Sequence, residues 1–151
     1  MSANPETRGI FIEDSESFRN TVAMILSTSL GIKCDCHENN DGLNLKEILA
    51  SGEIPEVIIS DNDGIGELGL SWLIKIREEI NSLVDTGGLD ASKKPLLILQ
   101  SGGNFEREDI QRMAKNHIKF AAKEALMRGK NPLKTIIKGS RNRKQQLADA
   151  A

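Results

Sequence analysis

Aromatic residues and long apolar runs are scarce in this 151-residue chain, which contains four Phe, one Trp and no Tyr. Aliphatic side chains must therefore build its core. No run approaches the roughly 18 consecutive apolar residues that span a bilayer, and residues 1–8 lack the apolar stretch of a signal peptide. The only cysteines, Cys34 and Cys36, are two positions apart in a predicted strand, where a disulfide is not expected. We therefore expect a cytoplasmic protein that does not bind a membrane.

A large excess of charge of one sign is also lacking, because 20 Lys and Arg residues oppose 22 Asp and Glu residues. The net charge of −2 favours neither nucleic-acid nor membrane binding. Positive residues do gather in the C-terminal part of the chain, at Lys130, Lys134, Lys138, Arg141, Arg143 and Lys144. Because no aromatic residues that could stack on bases lie among them, we expect a solvated helix face there and no nucleic-acid site.

Short apolar runs alternate with stretches in which apolar residues recur at helical spacing. The predicted strands are residues 9–12, 32–37, 56–60, 96–99 and 117–122. The predicted helices are residues 16–30, 43–50, 69–83 and 105–115, with a last helix that begins at Pro132. This order is typical of an α/β domain with a five-stranded parallel sheet and helices on both faces. We expect one domain over 9–138, a flexible lead-in over 1–8, and a frayed polar tail or linker start over 139–151.

Polar residues and glycine mark the ends of several predicted helices. Ser15 and Asn104 are suited to cap helix N-termini, and Gly31 is suited to end the first helix. Asn131 precedes Pro132, a residue that is favourable at the first helical position. These signals set the predicted helix boundaries.

Charged residues follow three of the predicted strands. Glu13 and Asp14 follow the first strand, Asp61 the third, and Lys123 the fifth. The C-terminal ends of the central strands of such a sheet converge on one crevice. Crowded carboxylates repel one another unless a cation lies among them, and Mg²⁺ is a hard cation that prefers oxygen ligands. Metal, lysine and carboxylate together can receive a phosphoryl group, with an aspartyl phosphate as the product.

Through these residues the chain resembles the response-regulator receiver domains of bacterial two-component signalling, over about residues 8–138. The resemblance is carried by the pair Glu13-Asp14, by Asp61 with the glycine-containing loop after it, and by Lys123. It implies a flavodoxin-like (βα)5 fold with strand order 2-1-3-4-5. It also implies a single-domain signalling protein, not an enzyme in the usual sense. A sensor histidine kinase or histidine phosphotransfer protein would donate the phosphoryl group, and the signal would pass to a downstream protein.

The resemblance also implies a role for each matching residue. Asp61 would be the phosphoacceptor, and Lys123 would pair with the phosphoryl group. Glu13, Asp14 and Asp61 would hold Mg²⁺ together with the backbone carbonyl of Asp63. The predicted cofactor is therefore Mg²⁺.

Other positions concern the response to phosphorylation. Phe120 falls at the aromatic switch position of the family. The polar switch position, normally Ser or Thr at the end of strand four, is Gln100 by a direct count and Ser101 if one residue is inserted. Ile65 and Glu124 stand where the family usually has proline. These departures bear on switching and partner recognition and leave the phosphoacceptor chemistry intact.

Two other functions stay open. A strand-end Asp-x-Asp such as Asp61-Asn62-Asp63 is also used by Mg²⁺-dependent phosphatases and phosphotransferases that form an aspartyl phosphate. Ile65 replaces the threonine of the haloacid dehalogenase-like motif in that class. The other alternative is a pseudo-receiver, a binding module that is never phosphorylated. Metal binding by Cys34, Cys36 and His37 is disfavoured, because no second pair of ligands accompanies them.

Overall fold

The computed structural model of the chain describes residues 6–62, 68–103 and 105–150, apart from the side chain of Met127. Three residues for which the sequence makes predictions, Asp63, Ile65 and Asn104, lie outside these residues. Within the described part of the chain, five β-strands and six α-helices follow one another in alternating order, except that two helices follow the last strand.

The five strands form one parallel sheet in the order β2-β1-β3-β4-β5, which confirms the predicted topology. The strands are β1 (Thr7–Ile12), β2 (Ile32–His37), β3 (Val57–Asp61), β4 (Leu96–Ser101) and β5 (Ile118–Ala122). Every residue of β3 is buried, as expected for a central strand covered on both faces. Its last residue is Asp61, so the sheet delivers this carboxylate to the middle of its C-terminal edge.

Helices cover both faces of the sheet. They are α1 (Glu16–Leu30), α2 (Leu45–Ile48), α3 (Gly69–Asp85), α4 (Arg107–Lys115), α5 (Lys123–Met127) and α6 (Pro132–Ala150). Leu73 and Ile76 of α3 belong to the hydrophobic cluster on one face, and Leu26 of α1 and Ile137 of α6 belong to the cluster on the other. None of the helices in the described residues is long and apolar enough to cross a bilayer.

Helix α1 has the boundaries that its sequence predicts. The Ser15 hydroxyl accepts a hydrogen bond from the Phe18 amide at 3.4 Å and so caps the N-terminus. Gly31 ends the helix with a φ of +66°, a left-handed conformation that glycine adopts without a Cβ clash. Because Ser15 directly follows Asp14, the cap places the positive end of the helix dipole beside the acidic pair.

The start of α3 lies directly against the end of β3. The Gly69 amide donates to the Asn62 carbonyl oxygen at 3.3 Å, and the Asn62 side chain accepts from the Leu70 amide at 3.0 Å. A Cβ atom on Gly69 would overlap the carbonyl oxygen of Asp61. The close approach of helix and strand therefore requires glycine, and it fixes the backbone at Asp61.

Several strand and helix boundaries differ from the sequence prediction. β1 begins at Thr7, two residues early, because the Thr7 amide donates to the Gly31 carbonyl at 3.0 Å. Residues 7 and 8 thus belong to the sheet and not to a lead-in. β4 continues through residues 100–101, which pair in register with β5. β5 begins at Ile118, one residue late, because His117 has a φ of +52° and cannot continue an extended strand.

Two helix predictions are also corrected. α4 begins at Arg107, two residues later than the spacing predicts, because Phe105 packs against Phe120 and not along the helix. The sequence predicts no helix directly after the last strand, yet Lys123 begins the short helix α5. Lys123 is therefore a first-turn helical residue as well as a strand-end residue.

The largest correction concerns α6, which continues to Ala150 although its polar sequence predicts fraying from Gly139. Arg141 anchors the helix just beyond the point at which fraying is predicted. It donates to both carboxylate oxygens of Glu56, at 2.6 and 2.7 Å, and to the Leu30 carbonyl at 2.9 Å. One charged side chain thus ties a polar helix to the sheet and to α1. A linker role for residues 139–151 stays a prediction.

We expect Arg141→Ala to lower the free energy of unfolding by about 1–2 kcal/mol, because it leaves the largely buried Glu56 carboxylate without its bidentate partner. Urea unfolding followed by circular dichroism measures the change. Lys138→Ala is the matched control, since Lys138 is exposed on the same helix, and its effect should stay within about 0.5 kcal/mol. Equal effects of the two substitutions would contradict the docking of α6 through Arg141.

Candidate functional site

Glu13 and Asp61 lie at adjacent strand ends and share one lysine. Lys123 Nζ is 2.7 Å from Glu13 Oε1 and 3.1 Å from Asp61 Oδ1. The side chains of Glu13 and Asp61 are 0% and 3% exposed, whereas that of Lys123 is 23% exposed. The fold thus brings together three charged residues that the sequence places after three different strands.

Asp14 completes a group of three carboxylates. One oxygen from each of Glu13, Asp14 and Asp61 lies within 4.8 Å of the others. Asp14 is exposed, whereas Glu13 and Asp61 are buried, so the group opens to solvent on the Asp14 side. The predicted backbone contribution of Asp63 falls outside the described residues.

Burial raises the pKa of Glu13 from 4.5 to about 7, because it removes water from the charged form. The hydrogen bond from Lys123 opposes this shift, and the nearby Asp61 carboxylate adds to it. In the absence of a cation, Glu13 therefore changes charge near neutral pH. Its second oxygen, Oε2, has no hydrogen-bond partner within the described residues.

Lys123 is held in its charged form. Its partial burial disfavours the ammonium ion, but the hydrogen bond to Glu13 and the charge of Asp61 outweigh burial and raise the pKa of Lys123. The ammonium also lies 5.1 Å from the centroid of the Phe18 ring, at a cation–π distance. Sequence reasoning missed Phe18 as a site residue, since its spacing marks it only as part of the apolar stripe of α1.

The donor set fits a hard divalent cation such as Mg²⁺. Three carboxylates converge, and the buried Oε2 of Glu13 is an acceptor that the described residues leave without a donor. Mg²⁺ commonly binds one or two protein carboxylates and retains several waters. The exposed side at Asp14 leaves room for such waters. Glu13, Asp14 and Asp61 are therefore the residues that could hold the ion.

β4 ends with Gln100 and Ser101, whose side chains point to opposite faces of the sheet. Gln100 pairs in register with Asp61 and Ala121, which places its side chain on the Asp61 face. It is 1% exposed, and neither its amide nitrogen nor its amide oxygen has a hydrogen-bond partner in the part of the chain described. Ser101 is also buried, and its hydroxyl accepts from the Gly103 amide at 3.0 Å.

Phe120 lies on the Ser101 face, because it pairs with Leu99 two residues earlier on β4. Its ring meets that of Phe105 edge to face, with centroids 5.3 Å apart and planes at 81°. Phe120 is still 40% exposed, and Ile110 of α4 is 55% exposed. The α4 and β5 elements therefore present apolar side chains to solvent.

The Cys34, Cys36 and His37 side chains of β2 do not converge as metal ligands. Across the described residues, Glu13, Asp14 and Asp61 form the one group of three or more potential ligands. Both thiols are free, and burial raises the pKa of Cys34 to about 12. That thiol is therefore neutral at physiological pH and is a poor metal ligand.

The fold is similar to those of several solved response-regulator receiver domains. A receiver domain protein from Clostridium thermocellum is similar over 93% of this chain and 98% of its own, with a TM-score of 0.65 and 17% identity. The chemotaxis response regulator CheY4 of Vibrio cholerae is similar over 92% and 98%, with a TM-score of 0.56 and 17% identity. The receiver domain of the histidine kinase CKI1 from Arabidopsis thaliana is similar over 80% and 83%, with a TM-score of 0.54 and 14% identity.

No protein-family model and no curated protein sequence matches the chain. The likeness is therefore one of fold, at sequence identities of 14–17% in the three structures described. The chain has the receiver-domain fold, and this is the fold that the sequence motifs predict.

The raised pKa of Glu13 predicts a pH-dependent stability. Between pH 4.5 and about 7 the native state binds a proton that the unfolded state has released, so stability falls as pH rises through this window. Glu13→Gln removes the ionisable group. In EDTA, its free energy of unfolding relative to the unmodified protein should rise by about 2 kcal/mol between pH 5 and pH 8.

Urea unfolding at the two pH values measures this difference. Glu38→Gln is the control, because Glu38 is exposed just after the C-terminal end of β2. Its substitution should leave the pH dependence of the free energy of unfolding unchanged. A constant difference between Glu13→Gln and the unmodified protein from pH 5 to pH 8 would contradict the charge change of Glu13.

Proposed function

We propose that this protein is a phosphoacceptor signalling domain, which receives a phosphoryl group on Asp61 from a phosphohistidine of a partner protein. The observation that carries the proposal is the convergence of Glu13, Asp14, Asp61 and Lys123 at the C-terminal edge of the sheet. The partner would be a sensor histidine kinase or a histidine phosphotransfer protein, and a downstream protein would bind the phosphorylated form. A cytoplasmic location stays a prediction.

In the proposed reaction, a carboxylate oxygen of Asp61 attacks the phosphorus atom of the phosphohistidine. The O–P bond forms as the N–P bond breaks, and the electron pair of the broken bond stays on the imidazole nitrogen. Bound Mg²⁺ would neutralise negative charge on the phosphoryl oxygens. Glu13, Asp14 and Asp61 would hold it, and the buried position of Glu13 and Asp61 would limit the access of competing water.

Lys123 would act both before and after the transfer. Before it, the ammonium holds Glu13 and Asp61 side by side, at 2.7 and 3.1 Å. After it, the negative charge lies on the phosphoryl oxygens, further from the sheet than the original carboxylate. Lys123 would follow this charge and loosen its bond to Glu13. The transfer therefore changes which groups the lysine holds together.

We assign the switch position to Ser101 and not to Gln100. Ser101 has the hydroxyl that can bond to a phosphoryl oxygen, and it shares a sheet face with Phe120. A movement of Ser101 towards the phosphoryl group would break its hydrogen bond with the Gly103 amide and free space beside the Phe120 ring. The surface that changes on phosphorylation would then include the exposed apolar side chains of Ile110 and Phe120.

Incubation with acetyl phosphate and Mg²⁺ should add one phosphoryl group to the protein, measured as a single increase in intact mass. Asp61→Asn should abolish the adduct, because an amide is a poor nucleophile towards phosphorus. EDTA should abolish it as well. Asp41→Asn is the matched control, since Asp41 is exposed after β2, and this variant should keep the adduct.

Two results would overturn the proposal. Continuous phosphate release from unrelated phosphate monoesters would indicate the phosphatase alternative. An unchanged mass of correctly folded protein with acetyl phosphate, and also with a phosphorylated histidine phosphotransfer protein, would indicate a pseudo-receiver.

Mg²⁺ binding should depend on the exposed carboxylate of Asp14. We expect Asp14→Asn to weaken Mg²⁺ binding by at least about tenfold, since removal of a group that merely supports a ligand already costs that much. Isothermal titration calorimetry with MgCl₂ measures the affinity, and Asp41→Asn again serves as the control. Equal Mg²⁺ affinities of the two variants would show that Asp14 is not a ligand.

A further inference from the structure

A second recess lies at the opposite edge of the sheet from Asp61. It has a volume of about 800 Å³, within the range of small-molecule sites. It is bounded by the amino-terminal ends of β4 and β5, by the middle of α3 and by the end of α6. The residues that matter for its chemistry are Arg77, Lys94, Lys119, Arg143, Lys144 and Leu147.

The charge of this recess has one sign. Five of its lining residues are Lys or Arg and none is Asp or Glu, although the whole chain has a net charge of −2. A solvated helix face would normally mix both signs. Here the positive residues come from α3, β5, α6 and the segment before β4, so the tertiary fold collects them. A concave surface of one sign concentrates ions of the opposite sign.

Arg77 is the buried member of this group, with 6% of its surface exposed. Its Nε donates to the Asn116 carbonyl at 2.8 Å and its Nη2 to the His117 carbonyl at 3.1 Å. Within the described residues it has no carboxylate partner, and its Nη1 has no hydrogen-bond partner. Burial lowers its pKa, which reflects the cost of a buried guanidinium without a counter-ion. An anion in the recess would provide that counter-ion.

Within the described residues, no carboxylate forms an ion pair with the other positive residues of the recess, Lys94, Lys119, Arg143 and Lys144. Lys144 Nζ donates to the Lys94 carbonyl oxygen at 3.1 Å, which places two like charges near each other. Burial and the proximity of Lys94 lower the pKa of Lys144. Glu56 is the carboxylate whose charge raises the pKa of Lys144. It already receives two hydrogen bonds from Arg141. The recess therefore keeps an excess of positive charge.

The recess also has an apolar wall. Pro95 and Leu96 form it before and at the start of β4, and Leu147 and Ala148 form it on α6. Leu147 is 73% exposed, so the apolar surface that it adds to the recess is open to solvent. A simple inorganic anion would leave this wall in contact with water. An organic anion would cover it and meet the positive residues at once.

We propose that this recess, defined by Arg77, Lys94, Lys119, Arg143, Lys144 and Leu147, binds an organic polyanion with an aromatic or apolar body, of the nucleoside polyphosphate type. The anionic groups meet Arg77 and the lysines, and the apolar body lies against Leu96 and Leu147. The site is separate from Asp61, so it does not depend on the proposed phosphoacceptor function.

Isothermal titration calorimetry with ATP as the probe, in EDTA and low salt, tests the site. The expected result is one bound ATP per chain, with tripolyphosphate and AMP each binding more weakly. Asp61→Asn should bind ATP as tightly as the unmodified protein, which separates this site from the acidic cluster. Arg77→Ala is unsuitable as the sole test, because Arg77 also holds the Asn116–His117 turn.

The decisive variant is Lys119→Glu/Arg143→Glu, which reverses two exposed charges of the recess. It should weaken ATP binding by at least about tenfold. Lys33→Glu/Lys130→Glu is the matched control, since it makes the same change in net charge at exposed residues outside the recess. Similar losses in both variants would mean diffuse electrostatic attraction and would overturn the proposal, as would no binding of ATP or equal binding of tripolyphosphate.

Discussion

The candidate site depends on the ion pairs that the ammonium of Lys123 forms with Glu13 and Asp61. Without Lys123, the buried carboxylates of Glu13 and Asp61 would lie at neighbouring strand ends without the ammonium that both contact, a costly arrangement. Lys123 compensates them only partly, because burial still raises the pKa of Glu13 to about 7 against the opposing effect of the lysine. The cluster therefore favours a further positive charge.

The fold supplies this arrangement through backbone contacts that leave little freedom. Gly69 lets α3 begin against the carbonyl of Asp61, and Asn62 accepts the hydrogen bond of the Leu70 amide. The Ser15 cap similarly begins α1 directly after the acidic pair. Each strand tip is thus held by the helix that follows it.

Much of this could be predicted from the sequence, for identifiable reasons. Buried strands that end in charged residues predicted the acidic cluster, since parallel strands all present their C-terminal ends at one edge, whereas the strand order followed from the resemblance to receiver domains. The docking of α6 beyond Gly139 could not be predicted, because it rests on a contact between Arg141 and Glu56, which are 85 residues apart in sequence. The contact between the Phe18 ring and the Lys123 ammonium could not be predicted either, because these residues are also far apart in sequence. Local patterns do not reveal single long-range contacts.

The buried polar atoms that lack partners point to the same edge of the sheet. Within the described residues there are three such side-chain atoms, and all belong to Glu13 and Gln100. An unsatisfied buried group costs about 1–3 kcal/mol, so a sequence under selection for stability alone would place apolar side chains there. Gln100 lies beside Asp61 in the sheet register. The fold therefore departs from full hydrogen-bond satisfaction at the edge where its chemistry is proposed, and such departures are typical of functional sites.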